Sequence, residues 1–308
     1  MSTLTDKINA LEDVPDAWAK KIEAFQPKLF RTLTQLMNSL TVNADGFIEM
    51  TAGNLQAIET ILAGLEQYLT TGEYVQIVGE LNQQFIAQQA TTVKYFDEAF
   101  GSAPVTSFNS TLYNTNRGNA IRAVLGDGLN PMLYTPLRET LLEGIASGSS
   151  YSDLLNNVQR IAMGNDELEG NLLRYSRQIV SDSFATTDSE FTKIIGDELG
   201  LEWYRYLGGK MKTTRCFCLA RNGGYYHRQE IEGWGNLVEI GDCRINNGWQ
   251  GRYRGTNAET IFTWRGGYNC QHSLLPVSEF SVPKKDAIRA IEKGWYKPDQ
   301  TAKEHFEL

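Results

Sequence analysis

Apolar residues recur at every third or fourth position through most of the first two hundred residues, and that period admits few folds. Trp18, Ile22, Phe25, Leu29, Leu33, Leu36 and Leu40 fall on one stripe, the spacing that buries one side of an α-helix. Pro27 lies inside this stripe and predicts a kink or a break between two helices. Leu55, Ile58, Ile61, Leu62, Leu65 and Leu69 make a second stripe, and Tyr74, Val78, Leu81, Phe85, Val93, Phe96 and Phe100 a third. The turn Asn43-Ala44-Asp45-Gly46 and the short run Phe47-Ile48-Glu49-Met50 read as a hairpin or brief extended link. Three consecutive amphipathic helices favour an antiparallel bundle or a projecting helical unit.

A break is expected at Gly101-Ser102-Ala103-Pro104. Thr135-Pro136 then opens a helix through Leu137, Leu141, Leu142 and Ile145. Ser150 and Asp153 have the capping-box spacing for a short helix ending at Gly164. A long helix carries Leu168, Leu172, Tyr175, Ile179, Phe184, Phe191, Ile194 and Leu199 and stops at Gly200. A strand follows at 201–207. Beyond it the composition changes: five of the six Trp and 13 of the 28 Gly lie after residue 200. That part reads as irregular β structure with tight turns, and Ile261-Phe262-Thr263-Trp264 as a strand ended by Gly266-Gly267. The fold class expected is α+β: a mostly helical N-terminal two-thirds followed by a small Trp- and Gly-rich module. The expected domains are a helical region at 1–104, a module at 105–280 and a C-terminal helix or tail at 281–308.

Charge divides the chain at the same place. The first 200 residues hold 13 Lys/Arg and 25 Asp/Glu, the last 108 hold 16 and 12. An acidic two-thirds argues against a general nucleic-acid wrapper. The basic end, with Lys210, Lys212, Arg215, Arg221, Arg228, Arg252, Arg254 and Arg265, suits an acidic partner or phosphates, or is simply a solvated face. No apolar run approaches the roughly 20 residues of a membrane span. The expectation is a soluble chain made in a reducing cytosol, without a membrane partner.

The last third carries one dense cassette: Thr214-Arg215-Cys216-Phe217-Cys218, Tyr225-Tyr226-His227, Glu230-Ile231-Glu232-Gly233-Trp234, then Arg265-Gly266-Gly267-Tyr268-Asn269-Cys270-Gln271-His272 and Leu275-Pro276-Val277. These elements, in this order, resemble the C-terminal module of the bacteriophage Mu F-like family of minor head (head morphogenesis) proteins. The resemblance covers 203–277 well and 54–277 loosely. The first pair here is Cys-x-Cys where many members have Cys-x-x-Cys, and the closing element is Cys-Gln-His where many read His-Pro-x-Cys-Arg-Cys. The resemblance implies a virion protein of the head, assembled in the host cytoplasm and present in several copies. Its implied partners are the portal protein, the major capsid protein or the packaged DNA, at or near the portal, and the resemblance leaves open whether it sits inside the head and whether it leaves with that DNA.

Cys216, Cys218, Cys270 and His272 offer four ligand-type side chains in two close pairs, the number that structural zinc uses. The plain alternative is small buried thiols and a hydrogen-bonded core histidine. A Cys216–Cys270 disulfide is a third reading, for a particle that matures outside the cell. The Gly-Gly turn is expected to return Cys270 toward the Cys216 segment, so the four should cluster with or without metal. No cofactor other than zinc is indicated. Glu230 and Glu232 match the Glu-x-Glu of arginine-specific ADP-ribosyltransferases, the basis of an alternative reading as a genome-delivered effector. The accompanying elements are missing, and charged side chains in a solvated turn explain the pair as well. Walker, zincin, nucleophile-elbow and dinucleotide-binding motifs are absent. The reading is therefore binding rather than catalysis, with Arg252 and Arg254 as the partner-binding candidates.

Overall fold

The computed structural model describes residues 3–209, 212, 214–235 and 251–308. Helices α1 (Thr3–Met37), α2 (Ala52–Thr71), α3 (Glu73–Phe100) and α4 (Ser107–Leu125) come first. A π-helical turn (Asn130–Tyr134) leads into α5 (Thr135–Ser147), α6 (Tyr151–Met163) and α7 (Asn171–Glu198). After these the chain shortens its elements: β1 (Trp203–Leu207), α8 (Cys216–Arg221), β2 (Tyr225–His227), α9 (Arg228–Trp234), α10 (Ile261–Trp264), β3 (Ser273–Val277), α11 (Lys284–Glu292) and α12 (Gln300–Phe306). The fold is mostly helical α+β, as the periodicity predicts.

Two compact units divide the chain. One comprises Met1–Asp13, Phe85–Arg117 and Ser181–Leu308; the other comprises Val14–Gln84 and Gly118–Val180. The division falls inside α1, α3, α4 and α7 rather than at residue 104. The helical stretch 1–104 is therefore not a unit by itself. Its two ends belong with the C-terminal third because Lys7, Gln88 and Thr92 are buried against Asp188 there.

The unit of Val14–Gln84 and Gly118–Val180 is wholly helical apart from its links. Pro27 does not break α1, which runs through both Pro15 and Pro27. A proline inside a helix costs about 3 kcal/mol. On either side of Pro27, Ile22, Phe25, Leu29 and Leu33 are almost fully buried, and each contributes roughly 1.5–3 kcal/mol, so packing outweighs the lost backbone bond. The 41–50 link forms the short hairpin expected, with Val42 paired to Ile48 and Phe47 to Ser150. Buried Asn54 holds it: its amide donates to the Thr41 and Glu49 carbonyls at 2.9 and 2.7 Å, and Thr41 N–H donates back at 2.7 Å. Helix α6 begins at Ser150, whose hydroxyl accepts from Asp153 N–H, and ends at Gly164, both ends as expected.

The other unit is built on a three-stranded antiparallel sheet in the order β2-β1-β3. Side chains on a strand alternate between faces, and β1 uses both. Tyr204 and Tyr206 enter a core with Phe217, Cys218, Ile231, Trp234, Ile261, Phe262, Cys270 and Leu274. Trp203, on the opposite face, packs with Val282, Ala287, Ala290, Tyr296, Ala302 and Phe306, so α11 and α12 cover that side. Ile261–Trp264 is a helical turn, not the strand expected. Asn257 and Thr260 explain it: the Asn257 side chain accepts from the Glu259 and Thr260 N–H groups, a turn-initiating arrangement that precedes the apolar run.

Candidate metal centre

The cassette's chemistry is set by which face each short element presents. Cys216-Phe217-Cys218 does not lie in an extended chain but opens α8. Residues two apart on a helix point about 200° apart, so only one of the two cysteines can face the core. Cys218 does. Cys216 is not a free thiol whereas Cys270 is one, so the Cys216–Cys270 disulfide is not formed and Cys216 is not a member of the ligand group. Of the four residues expected to cluster, the structure brings three together and takes Cys216 away.

Cys270 arrives by the turn after α10. Gly267 at φ +95° and Asn269 at φ +56° reverse the chain, and Cys270 N–H closes on the Gly267 carbonyl at 3.1 Å. The return expected of the Gly-Gly pair is thus present, and its target is Cys218. Two residues later His272 leads into β3.

Cys218 Sγ, Cys270 Sγ and one imidazole nitrogen of His272 lie within 4.8 Å of one another, all buried. The two sulfurs are 3.9 Å apart. Tetrahedral zinc with Zn–S bonds of about 2.3 Å separates two sulfurs by roughly 3.8 Å, so the pair already has that spacing. His272 Nε2 is buried with no hydrogen-bond partner, which leaves a lone pair or proton uncompensated in the core. These donors fit a borderline-soft cation.

Tyr206, which the sequence reading did not select, completes the surroundings. Its hydroxyl donates to Cys218 Sγ at 3.3 Å and lies 3.9 Å from Cys270 Sγ, and its ring stacks on His272 with centroids 5.3 Å apart. Two glycines make room: a Cβ on Gly266 would sit 2.5 Å from Cys218 Sγ and 2.8 Å from Cys270 Sγ, and one on Gly208 would sit 2.6 Å from the His272 ring. Hydrogen bonding from Cys218 holds the Cys270 thiol well below its ordinary range, with His272 and Arg265 acting in the same direction. Cys218 is pushed up as the donor of the pair. One proton shared between two sulfurs is the arrangement that a metal displaces.

His227, the other cassette histidine, is not part of this group. It caps α9, accepting from Gln229 N–H, and packs edge-on against Trp203. Burial, then the neighbouring Arg228, lower its pKa from 6.5 to about 4. The unfolded chain therefore binds a proton that the folded chain refuses between those values. The stabilising contribution is complete above about pH 6.5 and is lost as pH falls toward 4. Denaturant unfolding at pH 7.5 and pH 5 should show this loss, and His227→Asn, which keeps the cap, should flatten it.

The basic residues fare differently from the charge count. Arg221 stacks over Phe217 and Trp234 at 4.0 and 4.5 Å. Arg228 pairs with Asp197 and Glu202. Arg265 is buried and donates to the Ala185 carbonyl at 3.2 Å. Arg252 is half-buried and donates to the Gly235 and Thr256 carbonyls, so it ties its own loop instead of offering a surface. Arg254 and Lys212 are exposed; Lys210 lies outside the described residues. Glu230 and Glu232 sit two apart on α9, on different sides of the helix, and Glu230 is mostly buried and paired with Arg289 at 3.2 Å.

Sequence reading also missed a charged group elsewhere in the same unit. Lys7 and Asp188 are fully buried and ion-paired. Lys7 also donates to Thr92 at 2.7 Å, while Gln88 and Thr92 donate to Asp188 at 3.0 and 2.9 Å. The signal was present in the periodicity. Lys7 is in step with Leu11, Val14 and Trp18, and Asp188 with Phe184, Phe191 and Ile195, so both charges lie on buried stripes.

No protein-family model, curated protein or solved structure matches the chain.

Proposed function

We propose that the chain is a bacteriophage minor head protein of the Mu F-like kind, acting by binding at the portal or shell, with a zinc ion stapling its C-terminal module. The observation that carries this reading is the convergence of the resemblance's elements. The Cys218 segment, Trp234 after the Glu-containing segment and the Cys270 turn contribute to one core around Tyr206. Leu275-Pro276-Val277 continues from His272 as the strand paired with β1. Cys218, Cys270 and His272 would hold the ion, which would supply a cross-link between α8 and the turn before β3 without redox chemistry of its own.

Docking in this reading uses exposed basic side chains of the last third, Arg254 among them, against an acidic partner surface or packaged DNA. Such steering weakens beyond a screening length of about 10 Å at 0.1 M salt. Arg254→Glu should lower incorporation into particles several-fold while thermal stability stays unchanged, since an exposed swap costs within about 0.5 kcal/mol. Quantitative immunoblotting of purified particles measures it. Normal incorporation of Arg254→Glu, together with loss of infectivity in a folded Glu232→Gln variant, would replace the binding reading with the effector-enzyme one.

A further inference from the structure

The geometry points to Cys218 and Cys270 as a site of two-electron thiol oxidation, where a disulfide and the metal ion exclude each other. The inference extends the metal reading above and rests on it for the second half of that statement. Both cysteines are free thiols, their sulfurs are 3.9 Å apart, and both lie against Gly266, which has no Cβ to hold them apart. A Cβ there would press on both sulfurs at 2.5 and 2.8 Å. With that position empty, the sulfurs can approach to the roughly 2.05 Å of a disulfide through side-chain rotation and a shift of the 265–270 turn.

A peroxide is the oxidant class that the site suits, being small enough for a buried pair. The Cys270 thiolate attacks one peroxide oxygen; the O–O bond breaks, the sulfur becomes a sulfenic acid, and the departing hydroxide takes a proton to become water. The Cys218 sulfur then attacks the sulfenic sulfur, the S–S bond forms, and the hydroxide released there takes the Cys218 thiol proton to become a second water. Two thiols and hydrogen peroxide thus give one disulfide and two waters, each sulfur having lost one electron. Tyr206, donating to Cys218 Sγ at 3.3 Å, holds that sulfur beside Cys270 for the second step. With both sulfurs consumed, His272 alone remains of the triad and the ion departs as a divalent cation.

The test uses the full chain loaded with zinc and then treated with hydrogen peroxide. Zinc release is followed with a chromogenic chelator, thiols are titrated in denaturant, and disulfides are mapped by peptide mass spectrometry. The expected result is loss of two thiols per ion released, with a Cys218–Cys270 linked peptide, and no such link in Cys270→Ser. Thiol loss without that link, or zinc retained by the linked form, overturns the proposal. A chain that takes up zinc when reduced but never forms the link overturns the oxidation site and leaves the metal reading standing. A chain that forms the link but binds no zinc when reduced overturns the metal reading and upholds the oxidation site.

Discussion

Lys7→Met is expected to destabilise the folded chain by about 3–5 kcal/mol, because it leaves Asp188 charged, buried and unpaired. Lys7 and Asp188 are almost completely shielded from water, and Asp188 Oδ2 already lacks a partner. Burial, the largest influence, pulls the Lys7 ammonium below its ordinary value, and Asp188 works against that shift. The pair is thus held together by mutual dependence more than by net gain. Replacing both partners, in Lys7→Met with Asp188→Leu, should therefore recover most of the loss, as uncharged side chains of similar volume often match a buried pair. Urea unfolding of the two single variants and the double variant measures the coupling. A cost under 1 kcal/mol for Lys7→Met would mean that the pair does not hold residues 3–13 and α3 to α7 within this unit.

Gly266→Ala is the second substitution with a large expected effect. Its methyl group would have to occupy space 2.5 and 2.8 Å from the two triad sulfurs, and overpacking of this kind typically costs about 1–3 kcal/mol. The sulfurs must separate, so zinc uptake should also fail. Gly233→Ala is the matched control: a Cβ there meets nothing within 4 Å on helix α9, and alanine in place of a helical glycine should be neutral or stabilising by up to about 1 kcal/mol. If Gly266→Ala kept both its stability and its metal, the close approach of Cys218 and Cys270 would be wrong.

What could be read from the sequence follows from the range of each interaction. Helices α2, α3, α5, α6 and α7 declare themselves through local stripes and caps such as Ser150 and Gly164, all visible within one window of chain. Helix α4 does not, because Asn109, Asn114, Asn116, Gly118 and Asn119 interrupt its pattern with weak helix formers. Pro27 misled for a related reason: the local penalty is real, but the burial of Phe25 and Leu29 that offsets it is tertiary.

The site divides along the same line. Clustering of Cys218, Cys270 and His272 was legible because the Gly266-Gly267 turn is a local cause of chain return. The loss of Cys216 from the group was not, since it depends on whether three residues are extended or helical, which reverses the side on which one cysteine lies. Tyr206 gave no signal as a sulfur partner, being one aromatic among several in β1. The charge count overstated the basic surface, because Arg221, Arg228, Arg252 and Arg265 are engaged within the fold, Arg228 by Asp197 and Arg265 by the Ala185 carbonyl, both distant in sequence.

The proposed minor-head role is tested most directly by quantitative mass spectrometry of phage particles purified from cells in which this chain is produced. The account predicts the full chain at a fixed copy number per head, well below that of the major capsid protein, retained through density-gradient purification. Absence of the chain from infectious particles, with accumulation as free protein in the infected cell, would contradict it.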